Sequence, residues 1–181
     1  MTDTALLLMD FQTGIVGNHA AALHNARRAA DTARAAGIPV LFVRVAFRPG
    51  YPEVSANNLR FSAIAETAGD TMTLDHPNTQ IHTDLAPRGD EPIITKKRFS
   101  SFTGSDLESI LRGHGTSHLV LAGISTSGVV LSTVRQAADL DYRLTVLRDA
   151  CADRDEEVHR VLIEKILPMQ AEVIDTTSWN A

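Results

Sequence analysis

The chain has 181 residues, 44% hydrophobic and 22% charged, with 17 Lys and Arg against 22 Asp and Glu for a formal charge of -5. This is globular composition, long enough for a buried core, and no stretch concentrates Lys and Arg as a nucleic-acid groove requires, so a disordered chain and a nucleic-acid partner are both excluded as expectations. Cys151 is the only cysteine, which excludes an internal disulfide and a multi-thiolate zinc site.

The chain opens Met1-Thr2-Asp3-Thr4 into the apolar run Ala5 to Met9. That run has neither the basic lead of a signal peptide nor the length of a membrane span, so a cytoplasmic protein without a membrane partner is expected. Its branched, unbroken character predicts a strand buried on both faces, ending at Asp10-Phe11-Gln12. From His19 to Ala36 the spacing of Leu23, Ala26, Ala30 and Ala33 predicts a helix, closed by Gly37 and Pro39. Val40 to Val43 predicts the second strand, ending at Arg44. Residues 48–91, punctuated by Pro49, Gly50, Pro52, Pro77, Pro87 and Gly89, predict an excursion over the sheet that serves as a lid or subunit contact.

Pro92 to Ile94 predicts a third strand, followed by Thr95-Lys96-Lys97-Arg98. Ser105-Asp-Leu-Glu108 has the form of a capping box ahead of a helix. Leu119 to Ala122, Leu144 to Leu147 and Ala171 to Ile174 predict three more strands. Between them lie helices carrying Val130, Val134, Ala137 and Ala138, and then Val158, Leu162 and Ile166, the latter capped by Asp153. Alternating strands and helices over 1–181 predict one domain: a three-layer α/β/α sandwich around a parallel six-stranded sheet.

Ligands of such sheets bind beyond the carboxyl ends of the strands, and the residues standing there are polar. Asp10, directly after Leu-Leu-Leu-Met, is a candidate buried acid or a simple turn cap. Lys96 and Lys97 are both candidate cations for it; neighbours on a strand face opposite ways, and spacing alone does not choose between them. Gly123-Ile124-Ser125-Thr126-Ser127-Gly128 opens a helix and offers a backbone cradle for an anion, without a dinucleotide or phosphate-loop signature. Phe11, Tyr51, Arg60, Phe61 and Phe102 are candidate pocket residues, each equally readable as core or interface.

In order and spacing, several elements together resemble the isochorismatase-like superfamily and its cysteine hydrolases. They are Leu7-Leu-Met-Asp10-Phe-Gln12, Ile81-His-Thr-Asp-Leu-Ala-Pro87, Lys96-Lys-Arg-Phe-Ser-Ser-Phe102, Leu121-Ala-Gly-Ile-Ser-Thr126, Thr133-Val-Arg-Gln-Ala-Ala138 and Asp149-Ala-Cys-Ala152. The resemblance implies the strand order 3-2-1-4-5-6, selects Lys96 over a solvated Lys97, and implies a cis peptide between Ile124 and Ser125. It also implies catalytic roles for Asp10 and Lys96, and substrate or oxyanion contacts from Gln12, Ile124, Ser125, Thr126, Gly128 and Phe102. Where the cysteine hydrolases read Gly-Ile-x-Thr-x-x-Cys-Val, this chain reads Gly123-Ile-Ser-Thr-Ser-Gly-Val129-Val130, so Val129 replaces the nucleophile. Cys151 stands where relatives carry small residues without catalytic duty, and Arg44-Val-Ala-Phe47 replaces the Asp-x-His element of the metal-binding branch. No metal and no organic cofactor are expected.

A valine cannot attack a carbonyl, so a covalent thioester is not expected. Isochorismatases proper resemble this chain in lacking the thiol and hydrolyse an enol ether by proton transfer, although Ser125-Thr126-Ser127 stands closer to the amidases. The expected function is therefore hydrolysis of a small enol-ether or carbonyl compound with Asp10 as general acid or base, in a homodimer or higher homo-oligomer. The alternative is an inactive binding or assembly protein on the same fold.

Overall fold

A computed structural model describes residues 3–180; Met1 and Thr2 of the expected non-signal lead, and Ala181 at the end of the expected domain, lie outside them. The strands are β1 (Thr4–Met9), β2 (Val40–Val45), β3 (Ile93–Lys96), β4 (His118–Ile124), β5 (Arg143–Ala152) and β6 (Glu172–Ile174). All pair in parallel, in the order β3-β2-β1-β4-β5-β6. The helices are α1 (Thr13–Val16), α2 (Ala20–Ala35), α3 (Leu59–Thr67), α4 (Leu107–Gly113), α5 (Leu131–Asp139) and α6 (Glu156–Val161). None among the described residues is long and apolar enough to cross a membrane.

Residues of β1 alternate between two cores, which is why its whole length is apolar. Leu6 and Leu8 face the α2 side with Ala26, Ala30 and Phe42, while Leu7 and Met9 face the α4 and α5 side with Leu41, Val43 and Val134. The centre of the sheet is tight. A Cβ on Gly123 would stand 2.8 Å from the Met9 carbonyl oxygen, so β1 and β4 can approach as they do only with glycine there.

Four local expectations are corrected. First, β5 runs on through Arg148 and Asp149 to Ala152, because a bulge opposite Leu121 and Gly123 turns the polar pair outward. There Arg148 holds Asp175, and Asp149 accepts from Thr176 N and Oγ1 at 2.8 and 2.7 Å. Cys151 is consequently inside the strand rather than after it. Second, β2 extends to Val45, and its Arg44 donates to Thr95 Oγ1 and Gln80 Oε1 at 3.1 and 2.8 Å. Third, α6 is capped by Asp155, which accepts from Glu157 N and Val158 N; Asp153 turns instead toward Ser127. Fourth, the residues at 105–108 do not close a capping box: Ser105 Oγ accepts from Leu107 N, and Glu108 pairs with Arg112 one turn on.

The excursion lies over the carboxyl end of the sheet. It is tied down by bridges from Gln12 to Ile81 and from Phe47 to Thr73, and α3 packs Phe61 against Phe47 at 5.7 Å between ring centroids.

Candidate active site

The strand order reverses between β1 and β4, where connections leave the sheet in opposite directions and a crevice opens at the carboxyl ends. Asp10 follows β1 into this crevice with φ 58°, a left-handed conformation that aspartate tolerates better than most residues. Its amide N donates to Val43 O on β2 at 2.8 Å, and the residue is 5% exposed. Alternation along β3 puts Lys96 on the same face as buried Ile94 and aims it past β2, so its Nζ stands 2.9 Å from Asp10 Oδ2 while being 2% exposed. The same Nζ donates to Arg98 O at 2.9 Å.

Lys97 is not the solvated neighbour expected. It is half-buried, donates to Ala46 O and lies 5.9 Å over the Phe47 ring.

Burial raises the pKa of Asp10 above the ordinary aspartate range, and the Lys96 ammonium opposes the shift without cancelling it. Only one carboxyl oxygen is engaged. Oδ1 is buried with no hydrogen-bond partner among the described residues. Leaving such an atom unsatisfied costs about 1–3 kcal/mol, a cost that proteins retain where a buried group meets a ligand.

The turn after β4 supplies the other wall. The peptide between Ile124 and Ser125 is cis, and residues Thr126–Val130 form one π turn before α5. Ser125 caps it, accepting from Gly128 N at 3.2 Å. A Cβ on Gly128 would stand 2.7 Å from that hydroxyl, so glycine is required for the cap to close. Part of the expected anion cradle is already occupied: Ser127 N donates to Asp153 Oδ2 at 2.7 Å.

A cavity of about 600 Å³ brings together Asp10, Lys96, Ile124, Ser125, Gly128 and Val129 from the expected set, and Arg60 and Phe61 from α3. Val129 is 2% exposed, lining the cavity and belonging to the core on the α4 and α5 side. Five expected residues lie elsewhere. The Gln12 amide is consumed internally, donating to Val45 O and Thr79 O at 2.9 Å each and accepting from Val45 N at 2.8 Å. Thr126 is fully buried, with its hydroxyl 2.8 Å from His159 Nδ1. Phe102 packs in the core beside Tyr142, and Phe11 in the core beneath α2. Tyr51 belongs to the cluster around Phe47 and donates to Gly69 O.

Several wall residues were not singled out from the sequence as site residues, including His19, Phe99, Asp153 and Arg154. Asp153 and Arg154 directly follow the true end of β5, so inspection of strand ends finds them once the bulge is known. Phe99 lines the cavity in place of Phe102, its ring tilted against that of Phe61 at 5.1 Å between centroids. Cys151 is buried behind this wall, and desolvation pushes its thiol up to about 12, which keeps it protonated and unreactive.

The isochorismatase domain model matches residues 4–178. An uncharacterized isochorismatase family protein, YecD, from Escherichia coli O157:H7 is 35% identical over 94% of this chain and 90% of its own length. A ureidoacrylate amidohydrolase from Pseudomonas syringae pv. syringae is 30% identical over 82% of this chain and 70% of its own. Among solved structures, a cysteine hydrolase from Pseudomonas syringae pv. phaseolicola superposes with a TM-score of 0.88 over 98% of this chain and 91% of its own, at 21% identity. The strand order, the Asp10–Lys96 pair at the sheet's reversal point and these likenesses converge: the chain belongs to the isochorismatase family of hydrolases.

Proposed function

We propose that residues 1–181 form a single catalytic domain that hydrolyses a small enol-ether or carbonyl compound without a covalent intermediate, with Asp10 moving the proton. One observation carries this reading. The buried Asp10 carboxyl has one oxygen held by Lys96 and the other unpaired, in a cavity where position 129, the expected place of a nucleophile, is a valine. Proton transfer is the chemistry left to such a wall.

In the enol-ether case, protonated Asp10 gives its proton to the vinyl carbon. Water then adds to the oxocarbenium centre and returns a proton to the carboxylate, and the hemiketal separates into a carbonyl compound and an alcohol. Lys96 holds Asp10 in position and limits how far burial raises its pKa. The hydrolases among the relatives support the reaction class, and the thiol-free cavity supports the non-covalent route.

A panel of small amides, esters and enol ethers, assayed before and after treatment with iodoacetamide, tests the proposal. Turnover of at least one member, unchanged by alkylation, is expected because the only thiol is sequestered. Binding without turnover across the panel would instead favour a ligand-holding protein, and loss of turnover on alkylation would reassign the chemistry to Cys151. A complementary result is expected from Val129→Cys. A thiol introduced beside Asp10 should form an acyl-enzyme with a reactive ester or amide of the panel, close to one adduct per chain by intact mass, which the parent never accumulates.

A further inference from the structure

We propose that His159 is a positioning residue that holds the turn after β4 by accepting a hydrogen bond from Thr126, and that it does so only as the neutral imidazole protonated at Nε2. The inference deepens the hydrolase reading of the cavity and rests on it. Ile124, Ser125, Ser127, Gly128 and Val129 line the cavity, and within that stretch Thr126 alone does not. It is fully buried, with Oγ1 2.8 Å from His159 Nδ1 on α6. One end of the turn is fixed by the tight approach of Gly123 to β1. The far side is held by two side chains from beyond β5: Asp153, which accepts from Ser127 N at 2.7 Å, and His159.

The direction of that bond follows from the surroundings of the hydroxyl. Thr126 Oγ1 has no other hydrogen-bond partner among the described residues. A threonine hydroxyl carries one proton, and a buried donor left without an acceptor is costly. Only an unprotonated Nδ1 can accept that proton, so the ring's own hydrogen sits on Nε2. Protonating the ring turns Nδ1 into a donor. The Thr126 oxygen can accept from it, but the hydroxyl hydrogen then faces the interior with no acceptor, at the back of a wall that shares its cavity with Asp10.

The charges around the ring leave it neutral at neutral pH. Burial moves the pKa of His159 below the ordinary histidine value; the Asp153 carboxylate opposes this, and His19 at the N-cap of α2 adds to it. The turn itself, Thr126–Val130, carries no titratable side chain. On α6, Glu156 and Glu157 are exposed in the first turn, and Arg160 pairs with Glu164. Acid, not base, therefore releases the turn. Turnover should have an acid limb set by His159, separate from the basic limb that Asp10 sets.

Proton–nitrogen correlation spectra of the histidine rings test the assignment directly, with His159 identified by its absence in His159→Asn. At about pH 8 its proton should sit on Nε2, and its titration should move to higher pH in Thr126→Val, where no hydroxyl donates to Nδ1. The second measurement is the pH profile of kcat/KM on whichever panel member the parent turns over. In the parent it should fall about tenfold per pH unit below the His159 pKa. Asparagine offers an acceptor near the place of Nδ1 that does not titrate, so His159→Asn should stay within about threefold of the parent at about pH 8 and lose the acid limb. A proton on Nδ1 at that pH, a titration unmoved in Thr126→Val, or the same acid limb in His159→Asn would each overturn the proposal. The parent's tautomer and the His159→Asn profile decide the matter even if Thr126→Val does not fold. The ring spectra need no substrate, so a parent without turnover, or Asp10→Asn with an undiminished rate, removes the hydrolase reading while the spectra still decide how Thr126 is held.

Discussion

Asp10→Asn is expected to lower kcat by about 10²–10⁴-fold, the usual contribution of a positioned general acid or base, with a much smaller change in KM. Asparagine keeps the shape of the side chain and an oxygen for Lys96 Nζ, but it cannot give or take the proton. Steady-state kinetics on whichever enol ether or ester the parent turns over provides the measurement, and the pH dependence sharpens it. Burial raises the pKa of Asp10, so the protonated acid persists to higher pH than in an ordinary aspartate. The parent's rate on an enol ether should therefore fall as pH rises through that raised value, and the residual rate of Asp10→Asn should lack this limb. Undiminished turnover in the variant would remove Asp10 from the mechanism.

Lys96→Met should destabilise the fold by about 3–5 kcal/mol near pH 8, as expected when one partner of a buried ion pair is removed. Methionine fills much of the same volume, so the loss is electrostatic rather than a cavity. The pH dependence has a definite sign. A carboxyl group whose folded pKa lies above its unfolded value binds its proton more readily in the folded state, so its contribution is fully present below the unfolded pKa and is lost as pH rises through the folded one. Removing the ammonium takes away the influences that lower the pKa of Asp10 and pushes it higher still. Urea unfolding of the two proteins at several pH values should then show the deficit of Lys96→Met shrinking as pH falls and Asp10 takes up its proton in both. A deficit equal at pH 4 and pH 8 would mean that Lys96 acts through packing and its bond to Arg98 O alone.

Much of the architecture is legible in the residues because each central strand is buried on both faces and must be apolar throughout. Ala5 to Met9 and Leu119 to Ala122 can hardly be read otherwise, and the small-residue stripe of α2 marks the face it lays on the sheet. The signal weakens where polar residues enter a strand. Arg148 and Asp149 conceal the second half of β5, since a bulge that turns both outward leaves no periodic trace. The same local ambiguity displaced the cap of α6: Asp153 and Asp155 are equally good caps by composition, and only the position of Ser127 N draws Asp153 away from α6.

By itself the sequence determined the α/β class, the family pattern, an acid at position 10, two candidate cations at positions 96 and 97, and a valine at position 129. Those properties are local, set by residue type and by spacing along one strand or turn. Only the tertiary structure decided that Lys96 reaches Asp10, that Oδ1 is left without a partner, that Gln12, Thr126 and Phe102 are spent on the scaffold, and that Arg60 and Arg154 line one cavity. Each of these depends on how β1, β3, the loop after β5 and the excursion are brought together. A side chain's remaining hydrogen-bonding capacity is settled by neighbours that are far away in the chain, not by the residues beside it.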